Sequence, residues 1–106
     1  MPTLDIISKG SGTVIESTNL NKIVLKENSV VKVKISYEEV LNIRREGDSA
    51  VITLKNGEQI TIESYFDEPV NSHQIVFEDD GQLYWAEFTD AANEIASTIK
   101  YHPLDS

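Results

Sequence analysis

The 106 residues include no cysteine. Disulfides, thiolate nucleophiles and cysteine-ligated zinc or iron–sulfur centres are therefore excluded, and redox chemistry says nothing about compartment. Apolar runs are only a few residues long, far short of the roughly 18 that a membrane-spanning helix needs. The first residues bring only Ile6 and Ile7 together before Lys9, without the apolar stretch of about 7–15 residues found in a cleavable signal. The expectation is a soluble domain with no membrane insertion, reaching the cell exterior only by a route that ignores the N-terminus. Positive charge is scarce: nine Lys plus Arg against eighteen Asp plus Glu leave a formal charge of -9. That sign repels the phosphate backbone, so nucleic acid and anionic lipid surfaces are poor partners. Histidine is limited to His73 and His102. Neither sits in a nucleophile motif, and both read as solvated residues. Gly10-Ser11-Gly12 lacks the third glycine and the helix of a phosphate-binding loop.

What is present is alternation. Apolar residues make up 40% of the chain, enough for one core in a domain of this length. Val31, Val33 and Ile35 alternate with Lys32 and Lys34, the pattern of a half-buried strand. Ala50, Ile52 and Leu54 repeat it, then Asn56-Gly57, then Ile60 and Ile62. Residues 49–64 are thus predicted to be a β-hairpin with a type I′ turn at Asn-Gly. Residues 41–46 lead through Glu46-Gly47-Asp48-Ser49 into the same meander. A second hairpin is predicted for 74–78 and 83–88 around Asp79-Asp80-Gly81-Gln82, joined to the first by a polar loop at 67–73. Segments near 3–8, 13–17 and 22–25 are further short strands whose pairing is open, and 95–101 is a last strand before Pro103. Ser36-Tyr37-Glu38-Glu39 carries the signature of a capped helical turn, with a second such turn at 90–94. The expected fold class is all-β: an antiparallel β-sandwich or small open barrel built from hairpins, with one or two short helical turns. Residues 1–101 form the domain and 102–106 the start of a connection.

The chemistry on offer is thin. Glu78, Asp79 and Asp80 cluster at a turn; they read either as a calcium candidate or as an ordinary acidic turn, and a complete site needs 6–8 oxygens. Asp67 and Glu68 carry the same two readings. No other cofactor is expected, and no catalytic residue is assigned. Tyr65, Tyr84 and Trp85 are the candidate ligand-binding residues, because the strand 83–88 is apolar on both sides. Either both of its faces are covered, or one is an aromatic platform for a sugar ring or a protein. Open sheets also leave edges through which chains self-associate, with Lys26, Lys32 and Lys34 as candidate edge charges.

Several segments together resemble a known family. Ser29-Val30-Val31-Lys32-Val33, the stretch from Val40 through Arg44-Arg45-Glu46-Gly47-Asp48 to Ile62-Glu63, the pair Tyr65-Phe66, Ile75-Val76-Phe77-Glu78-Asp79-Asp80 and Leu83-Tyr84-Trp85-Ala86 are similar to the N-terminal prefix domain of Bap-type biofilm-associated giant adhesins, the BapA prefix-like domain. The likeness runs over about residues 3–101. It implies a non-enzymatic module at the base of a large repetitive surface protein exported by type I secretion and supporting biofilm formation. The implied partners are an envelope or secretion-machinery protein, or a second copy. The implied location is the bacterial cell surface, with periplasmic retention of this domain as one variant.

Overall fold

Inward β-branched residues and outward charged ones set the strands. Val31 and Val33 are wholly buried while Lys32 between them reaches the opposite side. The structure, a computed structural model, describes residues 2–66, 73–88 and 99–104. Ten strands occur among them: β1 Leu4–Ser8, β2 Val14–Thr18, β3 Lys22–Val24, β4 Ser29–Val33, β5 Val40–Glu46, β6 Ser49–Leu54, β7 Gln59–Glu63, β8 Gln74–Asp79, β9 Gln82–Phe88 and β10 Ile99–Leu104. They form a six-stranded sheet in the order β10-β9-β8-β4-β1-β2 and a four-stranded sheet in the order β3-β7-β6-β5. Among the described residues the strands form two open sheets and no closed barrel, so the sandwich alternative is the one realised. Most neighbours are antiparallel, but β4 runs parallel to β8 and β3 parallel to β7.

The two inner faces supply one core. Leu4, Ile6, Val31, Val33, Ile75 and Phe77 come from the larger sheet; Ile23, Ile43, Ile52, Leu54, Ile60 and Ile62 come from the smaller. Full burial of each such side chain contributes about 1.5–3 kcal/mol before the entropy of ordering is subtracted. One end of the sandwich is closed by a single 3₁₀ turn, Tyr37–Glu39, whose N-cap Ser36 accepts the Glu38 N–H. The ring of Tyr37 stacks on Tyr101 at 4.6 Å and meets Tyr84 at 4.8 Å, so the turn leading into the smaller sheet is clasped by β9 and β10.

Three local expectations are corrected. The Asn56-Gly57 turn is not type I′: Gly57 has φ 93°, Asn56 is not left-handed, and the Gly57 N–H donates to Leu54 O at 3.0 Å. That is a three-residue loop with a glycine bulge. The type I′ conformation lies at Asp80-Gly81 instead, where both φ angles are positive, 53° and 81°. The last strand does not stop before Pro103. It continues to Leu104, with Pro103 opposite Tyr84, and an edge strand tolerates a residue without an N–H. Lys32 and Lys34 are not edge charges: Lys32 lies in β4, which is central in its sheet, and Lys34, just past its end, donates its N–H to Thr3 O beside the equally internal β1. The predicted turn at 90–94, loop residues 67–72 with Asp67 and Glu68, and residues 95–98 lie outside the described residues.

Candidate functional site

Strand alternation sends every second residue of the larger sheet away from the core, and register aligns these residues across neighbouring strands. Ser17, Asp5, Lys32, Val76, Trp85 and His102 stand in one row across all six strands of the outer face. Val76 is only 4% exposed although it stands outside the core cluster. In register it lies between Lys32 and Trp85.

The row is polar at one end and aromatic at the other. The Asp5 carboxylate accepts the Ser17 hydroxyl at 2.6 Å and lies 3.4 Å from Lys34 Nζ. The Ser17 bond holds the Asp5 carboxyl below its ordinary value; burial works against this shift, and Lys34 and then Lys32 add to it. Lys32 Nζ faces Glu78 at 3.8 Å. At the other end the Trp85 and His102 rings stack at 4.7 Å and 25°, and His102 Nε2 contacts Glu87 Oε1 at 3.0 Å. This end offers a flat, partly exposed aromatic surface beside a carboxylate.

The structure does not bring Tyr65, Tyr84 and Trp85 together. Trp85 points outward. Tyr84 is on the inner side of the same strand against Tyr37. Tyr65 is buried beyond the end of β7, edge-on to Phe66 and near His73. Burial pushes the Tyr65 hydroxyl well above its ordinary value, with a hydrogen bond from the Ile75 backbone working the other way. The sequence does not reveal His102 as the partner of Trp85, because the neighbouring Pro103 reads as the end of the strand. A proline next to a residue in a β-period pattern is the signal that hid it.

Glu78, Asp79 and Asp80 also divide. Glu78 faces Lys32, whereas Asp80 occupies the left-handed turn. Among the described residues no group of three or more His, Asp or Glu converges in a way that would hold a metal ion. His73 is not the solvated residue expected. It is 8% exposed, its Nδ1 accepts the Ser29 N–H at 3.2 Å, and its carbonyl accepts the Tyr65 hydroxyl at 3.4 Å. Its role on this geometry is to join two strands.

Among the described residues, no helix is long and apolar enough to cross a membrane. No curated protein and no solved structure matches the chain. A family model does match, over residues 1–106, the same ordered strands whose inner residues build the core and whose outer residues form the row described above. On that match over its whole length, the chain belongs to the BapA prefix-like domain family.

Proposed function

We propose that this domain is the non-enzymatic N-terminal module of a large type I-secreted, biofilm-associated surface adhesin, and that it acts in retaining the adhesin at the bacterial envelope. The family match over residues 1–106 carries the reading. The site chemistry supports it: the outer face presents the stacked Trp85–His102 pair beside Glu87, with Asp5 and Lys32 each paired to a neighbouring charge, a surface that a partner protein can cover. The partner is an envelope or secretion-machinery protein, with association between copies as a further contact. The location is the cell surface, with this domain retained on the periplasmic side.

Removal of residues 1–104 from the parent adhesin is the direct test. The expected result is loss of adhesin from the cell surface into the medium and thinner biofilm. Unchanged retention and unchanged biofilm would refute the reading. Protease shaving of intact cells then separates the two locations, because a periplasmic domain survives it.

A second reading is favoured by one observation, the stacking of Trp85 on His102 on the outer face. Here the domain binds a matrix polysaccharide through that pair. Trp85 is the single tryptophan, so its fluorescence reports the site alone. A panel of glycans that leaves the emission unchanged removes this reading.

A further inference from the structure

Exposed apolar side chains are concentrated on one flank. Six large hydrophobic residues are exposed among the described residues, and four of them, Val14, Ile15, Leu20 and Val24, fall in β2, β3 and the loop between. β2 and β3 are edge strands of different sheets. Ile15 and Val24 line one groove of ≈ 220 Å³ with Ile6, Glu16, Lys26 and Glu27. The flank therefore lies where the two sheets leave the sandwich open.

Charge distinguishes this flank from the rest of the chain. Residues 1–28 are neutral, with Lys9, Lys22 and Lys26 balancing Asp5, Glu16 and Glu27, so the whole formal charge of -9 falls in residues 29–106. Copies of a chain carrying a formal charge of -9 repel one another overall. Two copies approaching through this flank meet a neutral apolar surface with both signs interspersed. Lys22 and Lys26 balance Glu16 and Glu27 there, so a contact between two such flanks adds no net repulsion.

We propose that the β2–β3 flank is a self-complementary interface for a second copy of this domain, formed by packing of Ile15 and Val24 about a two-fold axis. This rests on the between-copy association in the reading above and gives it a place. The contact is made by side chains, because each edge carries a feature that resists main-chain strand addition. Ile15 is an unpaired bulge residue in β2 and Leu41 is one in β5, β3 is only three residues long, and β10 contains Pro103.

Sedimentation velocity of the purified domain at low and moderate salt tests the inference, with circular dichroism to verify folding of each variant. The wild type is expected to form dimers that tighten with salt, as screening removes the repulsion between the acidic remainders. Ile15→Glu and Val24→Glu are each expected to weaken the dimer by about tenfold or more, the cost of losing one buried aliphatic contact and burying a charge. Leu41→Glu, at a still more exposed residue but on the far edge of the smaller sheet, is expected to leave it unchanged. Three results overturn the proposal: a wild type that stays monomeric at both salts, species that grow beyond dimers, or equal effects of the three substitutions. Deletion of the domain in the parent adhesin remains a separate test, so failure here leaves envelope retention standing on its own result.

Discussion

The Ser29 backbone donates its N–H to Nδ1 of His73 at 3.2 Å across 44 positions of sequence. Ser29 opens β4, and His73 immediately precedes β8, the parallel neighbour of β4. The bond thus fixes where the parallel ladder begins, and both residues are buried. Removing the acceptor leaves a buried N–H without this partner, which costs about 1–3 kcal/mol. His73→Ala is expected to lower stability by at least that amount in urea unfolding, and His73→Asn, whose side-chain oxygen reaches a similar position, to recover part of it. Equal losses for the two variants would mean that ring packing, and not the bond, holds the junction.

Asp5 is expected to contribute to the acid limb. Its carboxyl lies below the ordinary value when folded, chiefly through the Ser17 hydroxyl. The stabilisation is therefore present above the unfolded value, about 3.9, and disappears as pH falls through the lowered folded value. Stability should drop below about pH 4, and Asp5→Asn should flatten that part of the profile while lowering the plateau above it. A profile with the same slope in both proteins would remove Asp5 from the account.

The alkaline limb has the opposite sign. Burial raises the hydroxyls of Tyr65 and Tyr101, with Tyr37 adding to the shift at Tyr101. Their neutral forms stabilise the fold below the unfolded value of about 10, and that contribution declines as pH rises above it. Thermal melting from pH 8 to 11 should show the decline, and Tyr101→Phe should make it shallower.

Local order was legible in the sequence and long-range order was not. The hairpins 49–64 and 74–88 show themselves because their partners are neighbours in sequence and their inward residues alternate. The capped turn at Ser36 shows itself for the same reason. The β4–β8 and β3–β7 pairs join segments tens of residues apart, and nothing in Val30-Val31 or Ile75-Val76 encodes a parallel neighbour. Trp85 and Tyr84 were legible as lying on opposite faces. What stands beside each was not, because Tyr37 and His102 arrive from other elements.

Turn type is testable residue by residue. At 54–58 only Gly57 is left-handed, whereas at 79–82 both Asp80 and Gly81 are. An L side chain in that region costs about 1–2 kcal/mol. Gly57→Ala and Gly81→Ala should each lose roughly this much. Asp80→Val should lose a comparable amount, because a β-branched residue tolerates positive φ poorly. Asn56→Ala should lose less, because it removes only two solvent-exposed hydrogen bonds to Glu58, one from its amide to the carboxylate and one from the Glu58 N–H to its oxygen. A type I′ turn at Asn56 would instead make Asn56→Val as costly as Asp80→Val, and chemical denaturation of the pair distinguishes the two.

Tyr37 is the clasp between the sheets at the closed end. It lies in the turn that leads into β5, yet its ring contacts are with Tyr101 of β10 and Tyr84 of β9. β10 is an edge strand bonded on one side only, and Tyr101 also meets Phe77 edge-on at 6.0 Å. Aromatic pairs of this kind contribute about 0.5–1.5 kcal/mol each beyond the area they bury. Tyr37→Ala is therefore expected to cost about 2–4 kcal/mol in total. The loss should be local before it is global: amide exchange should accelerate first in Ile99–Leu104, while Ser49–Leu54 in the middle of the smaller sheet keeps the protection of global unfolding. Tyr37→Phe, which keeps the rings and removes only the hydroxyl, should leave exchange in β10 close to wild type. Uniform acceleration across both sheets in Tyr37→Ala would show that the ring supports the whole core instead of tying one edge strand to it.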